Sequence, residues 1–256
     1  MARVMTFIDI CAGVGGISLG LERAGMICKG QVEIDDNCRK VLERHWPGVP
    51  RWTDATAIEP GELPTVDLIS GGYPCQPFSC AGLQRAEKDD RHIWPYIFEI
   101  VKHKKPSWCL FENVANHIRL GGDTVLSDLE SIGYACQPLI IPACAVGAQH
   151  RRDRLWILAH ADGQRQLFKV KAFGQKHNQG SFKWASGTFD IRADSDEHKP
   201  EKGSAGNIRK PDGLPYWLDR VKMMGNAVHP GVVEVIGKAI ITAHNEAPTL
   251  ALEGEI

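Results

Sequence analysis

The sequence lacks the features that would place it in a membrane or an oxidising compartment. No apolar run approaches the length of a membrane span. Met1 to Ile10 is too short for a secretory leader and is interrupted early by Asp9. The eight cysteines include no C-x-x-C pair and no Cys/His spacing suited to zinc. Reduced thiols in a cytoplasmic protein without a metal are therefore expected. An overall charge is missing too: 30 basic and 31 acidic residues leave a net charge of −1. No global field draws the chain to nucleic acid, so any such contact must rest on a local patch. There is no internal repeat. The 256 residues, 43% of them hydrophobic, suffice to bury a large core, which suggests one large domain with at most a small satellite.

Val4 to Ile10 reads as a buried parallel strand. The small residues Cys11-Ala12-Gly13-Val14-Gly15-Gly16 follow, and Ile17 to Ala24 has the apolar spacing of a helix closed by Gly25. Strand, glycine turn and helix together make a layout in which a ligand can approach the backbone. The turn does not spell G-x-G-x-x-G, which argues against a dinucleotide phosphate site. Val32-Glu33-Ile34-Asp35 reads as the end of a second strand, with Glu33 twenty residues past Gly13. In nucleotide-binding α/β folds an acid at about that offset accepts from ribose hydroxyls. Asp36 to Trp46 reads as a helix ended by Pro47-Gly48, and Asp54-Ala55-Thr56 as a short third strand end.

The stretch Gly71-Gly72-Tyr73-Pro74-Cys75-Gln76-Pro77-Phe78-Ser79 follows an apolar strand, Val66 to Ile69. It puts a cysteine just past a strand's carboxyl end, the edge where open α/β sheets bind ligands. Pro74 and Pro77 restrict the backbone on both sides, so the thiol is aimed. A lone cysteine in such a turn is more often a small core hydrophobe; the rest of the chain argues otherwise. Arg91 to Lys105 reads as a helix, Trp108 to Val114 as a strand bearing Glu112 near its end, Thr124 to Ile132 as a helix and Tyr134 to Ile141 as a strand. Arg151-Arg152-Asp153-Arg154 runs into Leu155 to Ala159, read as the last strand of the sheet; such basic tetrads are usually solvated faces, but at the start of a strand two side chains can reach a shared cleft.

Past His160 the apolar periodicity fades. Gly163 to Thr188 holds no acid but carries Arg165, Lys169, Lys171, Lys176 and Lys183, interleaved with Phe168, Phe173, Phe182 and Trp184. That mixture suits a phosphate backbone and unstacked bases; a flexible insertion is the plainer reading. Val228 to His244 again has helical spacing, with Pro230 in the first turn, and is expected to dock beside the first helix.

In their order, Phe7 to Gly16, Pro74-Cys75-Gln76-Pro77-Phe78-Ser79, Glu112-Asn113-Val114, Arg152-Asp153-Arg154 and Gly225-Asn226-Ala227-Val228 resemble the motifs of the DNA (cytosine-5) methyltransferases. The resemblance covers roughly Val4 to His160 and Asp212 to Gly237. It implies a mostly parallel α/β sheet of the Rossmann-like, S-adenosylmethionine-dependent kind. A catalytic domain of residues 1–160 and 212–256 would be interrupted by a small irregular target-recognition insertion, 161–211.

It further implies S-adenosylmethionine as methyl donor and a cytosine flipped out of duplex DNA as acceptor, in a monomeric enzyme. Carbon 5 of cytosine is a poor nucleophile; a thiolate adding at carbon 6 makes it enamine-like, which is covalent catalysis. By resemblance Cys75 supplies the thiolate and Glu112 the proton at ring nitrogen 3, while Arg152 and Arg154 favour the thiolate and hold the base. Cys11, Ala12, Gly13, Gly15 and Ala55 would face the cofactor, Glu33 its ribose, Ile34 and Asp54 its adenine, Pro74 its methyl-sulfonium end, and Asn226 and Val228 the far wall. Ser79 and the basic residues of the insertion would contact DNA.

The chain departs from the family pattern at Cys11, where the family often has Phe, and at His150, which stands at the Gln position of Gln-x-Arg-x-Arg. The insertion is also short for a target-recognition region. Competing readings are a transfer-RNA cytosine-5 methyltransferase, a catalytically silent DNA-binding relative and, more distantly, a nicotinamide-dependent oxidoreductase.

Overall fold

The computed structural model describes residues 3–74, 93–119, 121–161 and 227–246, together with the backbone of 182–184 and 187–189. Seven strands form the main sheet: β1 (Thr6–Ile10), β2 (Ile27–Val32), β3 (Arg51–Trp52), β4 (Leu68–Gly71), β5 (Trp108–Val114), β6 (Ala135–Pro142) and β7 (Asp153–His160), in the spatial order β3-β2-β1-β4-β5-β7-β6. Neighbours from β3 through β5 pair in parallel, whereas β7 runs antiparallel to both β5 and β6. Two further short strands, β8 (Phe182–Trp184) and β9 (Gly187–Phe189), pair with each other.

The sheet is mostly parallel, as expected, but several boundaries differ from the sequence reading. Leu155 to Ala159 is last in chain order within this sheet, yet β7 lies inside it, between β5 and β6. The second strand stops at Val32, leaving Glu33, Ile34 and Asp35 beyond its end. The third covers only Arg51–Trp52, so Asp54-Ala55-Thr56 lies after it.

Among the described residues the α-helices are α1 (Gly16–Ala24), α2 (Asp36–His45), α3 (Trp94–Lys104), α4 (Gly122–Ser131) and α5 (Pro230–Glu246). Alternating strand residues feed two cores. Ile8, Ile10, Cys109, Phe111, Leu155 and Ile157 meet α3 and α4 through Trp94, Ile97, Val101, Val125 and Leu129. Phe7, Leu68, Trp108, Leu110, Trp156 and Leu158 meet α1 and α5 through Ile17, Leu21, Val232 and Val233. Burial on both faces is why these strands read as nearly unbroken apolar runs.

Helices α1 and α5 touch along glycines: a Cβ at Gly20 would come within 2.4 Å of Val233 Cβ, and one at Gly237 within 2.7 Å of Ala24 Cβ. α2 starts on Asp35, whose carboxylate accepts from the backbone N–H groups of Asn37 and Cys38 and so satisfies two donors of the first turn. α1 lacks such a local cap. Its N-cap is Gly15, with φ of 87°, and the carboxylate comes instead from β1: Asp9 accepts from Ser18 N–H at 3.1 Å and from Ser18 Oγ at 2.7 Å. Among the described residues, no helix is long and apolar enough to cross a membrane.

Candidate active site

Parallel strands deliver their carboxyl ends to one edge, and most of the described site residues cluster there. The turn after β1 carries Cys11, Ala12 and Gly13. Cys11 sits at φ of 59° and Gly13 at 56°. Such a conformation is uncommon for a residue with a Cβ. Ala12 N–H donates to Val32 O at 3.0 Å, and Gly13 N–H to Glu33 Oε2 at 2.6 Å. Glu33 Oε1 accepts from Asp35 N–H at 2.8 Å, so this acid holds together the two segments that leave β1 and β2. Arg39 closes the same corner by donating to the carbonyls of Glu33 and Ile34 at 2.8 and 2.6 Å.

Ile34 remains 70% exposed, an apolar side chain left uncovered beside an anchored carboxylate. Asp54 accepts from both Thr56 N–H and Thr56 Oγ1 at 2.8 Å, a local turn next to buried Ala55. Burial pushes the Cys11 thiol up to about 12, with the Glu33 and Asp9 charges adding to the effect. It therefore stays protonated and acts by packing rather than as a nucleophile.

β4 and β5 are neighbours, with Gly71 opposite Phe111. The chain leaving β4 toward Cys75 consequently runs beside Glu112. A Cβ at Gly72 would lie 3.3 Å from Glu112 Oε2. Glu112 is 9% exposed, and its Oε1 pairs with Arg154 Nε at 2.8 Å. Burial raises the Glu112 carboxyl above 4.5, and the nearby Arg154 and Arg152 charges pull it back down. The site thus contains a carboxyl biased toward holding a proton beside guanidinium groups that moderate the bias.

Arg152 has φ of 38°. Its Nη2 donates to Ala227 O at 2.9 Å, tying the start of β7 to the segment that enters α5. That segment also lies against the start of α1, since a Cβ at Gly16 would meet Val228 O at 2.6 Å. Pro74 is exposed and Val228 half-buried. His150 is exposed, with its ring centroid 6.2 Å from that of His229.

Cys75, Ser79, Arg165, Lys169, Lys171, Lys176 and Asn226 lie outside the described residues, and Lys183 is described only by its backbone in β8. Among the described residues no group of three or more His, Cys, Asp or Glu side chains could hold a metal ion.

Residues that sequence reasoning missed include Arg39, which clamps two site carbonyls, and Asp9, the distant cap of α1. Asp9 did leave a signal: an acid inside the apolar run Phe7-Ile8-Asp9-Ile10 must find buried partners. It accepts from Ser70 Oγ at 3.1 Å as well as from Ser18, and Ser18 Oγ in turn accepts from Gln31 Nε2 at 3.1 Å.

A mostly parallel Rossmann-like sheet thus carries an acid-linked glycine turn and a buried acid–guanidinium pair on one edge, an architecture shared with methyltransferases. Residues 5–213 match the family model for C-5 cytosine-specific DNA methylases, and the chain belongs to that family. It is 36% identical over 160 residues to Type II methyltransferase M.HgiCII of Herpetosiphon aurantiacus, covering 59% of this chain and 36% of the relative. It is 33% identical over 187 residues to Type II methyltransferase M2.BsuMI of Bacillus subtilis (strain 168), covering 68% and 46%. The chain thus spans less than half the length of these relatives. In fold it is similar to DNMT2 of Spodoptera frugiperda, with a TM-score of 0.55 and 19% identity over 63% of this chain and 51% of that one.

Proposed function

We propose that this chain methylates carbon 5 of cytosine in duplex DNA, with Cys75 as nucleophile and Glu112 as the acid at ring nitrogen 3. The observation that carries the reading is the buried Glu112 carboxyl. It is held by Arg154 at 2.8 Å and lies next to Gly72, three residues before Cys75.

The chemistry asks for those two groups together. The Cys75 thiolate forms a bond to carbon 6 of the ring. The electron pair displaced from the 5,6 double bond makes carbon 5 nucleophilic, while Glu112 shares or delivers a proton at nitrogen 3. After carbon 5 is alkylated, a solvent water takes its proton; the released electron pair restores the 5,6 double bond and expels the Cys75 thiolate, and the nitrogen 3 proton returns to Glu112. Arg154 keeps the Glu112 carboxyl oriented. Arg152 adds positive charge nearby and braces the segment around Ala227.

The described residues fit S-adenosylmethionine as donor: the Gly13 turn has open space where a Cβ would be, Ile34 offers an uncovered apolar face, and Glu33 is anchored between them. When bound, it supplies the electrophilic methyl group. Cys11, Ala12, Gly13 and Gly15 would hold it from the turn, Glu33 at the ribose, Ile34, Asp54 and Ala55 at the adenine, and Pro74, Asn226 and Val228 from the opposite side.

Residues 161–211 serve as a short target-recognition region between two parts of one catalytic domain. The packing of α5 on α1 supports this. Extruding the cytosine costs a few kcal/mol. Contacts from Ser79, Arg165, Lys169, Lys171, Lys176 and Lys183 offset that cost.

The test is transfer of labelled methyl groups to duplex DNAs of varied sequence, with transfer RNA as competitor. Wild-type protein incorporates label into cytosine, and Cys75→Ser abolishes incorporation while circular dichroism and S-adenosylmethionine binding persist. Methylation retained by the serine variant would remove Cys75 from its role.

A further inference from the structure

We propose that Tyr73 and His117 form a positioning pair that fixes the segment leading to Cys75 against the strand carrying Glu112. The inference rests on the reading of Cys75 as nucleophile given above. Tyr73 Oη lies 2.9 Å from His117 Nε2, and the two residues are only 5% and 4% exposed. Tyr73 directly precedes Pro74-Cys75, and His117 lies in the helical turn Ala115–Arg119 that follows β5. The bond therefore joins the segment leaving β4 to the segment leaving β5.

Tyr73 is also held by its main chain. Asn113 Nδ2 donates to Tyr73 O at 3.1 Å, and the amide is fixed in turn because Asn113 Oδ1 accepts from Val114 N–H at 2.8 Å. Both the hydroxyl and the carbonyl of Tyr73 are gripped, so the described chain is held in place up to Pro74, the residue before Cys75.

The surroundings make this more than filling. The Tyr73 ring packs 5.4 Å from Trp94, 6.3 Å from Phe111 and 5.5 Å from His117, centroid to centroid. Trp94 opens α3, and its Nε1 is anchored on Asp128 Oδ2 at 2.8 Å. Tyr73, two residues before Cys75, and Trp94, the first residue of α3, thus meet on one aromatic cluster. Phe would fill the same volume at 73. A buried hydroxyl adds a desolvation cost that only a partner recovers, and what the pair contributes in return is a directed contact. Burial lowers the His117 imidazole below 6.5, which favours the neutral ring and leaves one nitrogen able to accept from the tyrosine hydroxyl.

The experiment compares Tyr73→Phe, His117→Leu, His117→Gln and the Tyr73→Phe/His117→Leu double variant in the 256-residue chain. It reads kcat, KM for S-adenosylmethionine and for DNA, the thermal midpoint, and the rate of covalent capture on 5-fluorocytosine duplex DNA. Misplacing a nucleophile by a fraction of its reach lowers kcat and capture about tenfold or more, with KM for S-adenosylmethionine within about twofold of wild type. The double variant should be no slower than the worse single one, and His117→Gln, which keeps an acceptor at similar reach, should recover most of the rate.

Wild-type kcat in a folded Tyr73→Phe protein overturns the proposal. So does a loss that follows the thermal midpoint alone, or additive losses in the double variant. A wild-type protein that neither methylates nor captures DNA overturns the Cys75 reading and this inference together. Full wild-type turnover unchanged across the variants overturns only the inference.

Discussion

Replacing Asp9 by Asn is expected to stabilise the protein at and above neutral pH. Asp9 is fully buried, and burial raises its carboxyl from 3.8 to about 6; hydrogen bonds from Ser18 and Ser70 oppose the rise and the Glu33 charge adds to it. In the native state the group keeps its proton up to about 6, whereas in the unfolded chain it releases it near 3.8. Its contribution to stability is therefore complete below pH 3.8, declines as pH rises, and is lost above about 6. The difference amounts to about 3 kcal/mol between the acidic and neutral limits.

Asn has the neutral carboxyl's shape and matches its partners. Its oxygen can accept from Ser18 N–H and Oγ, and its amide nitrogen can donate to Ser70 Oγ, whose own hydroxyl turns to Ile8 O at 3.3 Å. Urea unfolding of wild type and Asp9→Asn at a series of pH values provides the assay, because other titrating groups cancel in the difference. The variant should gain up to about 3 kcal/mol at pH 8, and the gain should vanish toward pH 4. A variant less stable than wild type at pH 8, or a difference flat with pH, would refute the reasoning. Either would show that bonds to the ionised carboxylate at least offset its desolvation.

Removing Arg154 should move the pH–rate profile. Arg154 exerts the largest downward pull on the buried Glu112 carboxyl, so Arg154→Ala raises it further, and the alkaline limb that reports loss of the Glu112 proton shifts to higher pH as overall turnover falls. An unmoved limb in the methylation profile would detach Glu112 from the proton-delivering role. At the contact of α1 and α5, Gly20→Ala places a methyl group 2.4 Å from Val233 Cβ and 2.6 Å from Pro230 O. Overpacking there costs about 1–3 kcal/mol, more than the roughly 1 kcal/mol gained in helix propensity, and thermal unfolding should show the net loss.

Much of the fold can be read in the sequence because the sheet is covered on both sides. Phe7 to Ile10 and Trp108 to Phe111 stand out as apolar runs, and the helices between them carry their own period and stop signals. The antiparallel insertion of β7 between β5 and β6 leaves no local trace, since pairing Glu112 with Trp156 is a matter of distant register rather than composition. The same limit governs the site. Cys75 and Glu112 are marked by ordered motifs, but the Tyr73–His117 bond spans 44 residues and the Arg152–Ala227 bond 75, and neither follows from spacing. Glu33 shows a further gap. Its offset from Gly13 points to a ribose, while its bonds to Gly13 and Asp35 show a structural task that any ligand contact must share.

The seating of α5 on α1 has a consequence during synthesis. Ile17 and Leu21 emerge from the ribosome early, but the residues that cover them, Val232 and Val233, follow only after the whole sheet has been made. At the usual pace of translation that interval is roughly ten to forty seconds. Throughout it the nascent chain presents a greasy ridge with no native cover, so a chaperone that shields short apolar helices should engage this polypeptide before its last helix arrives.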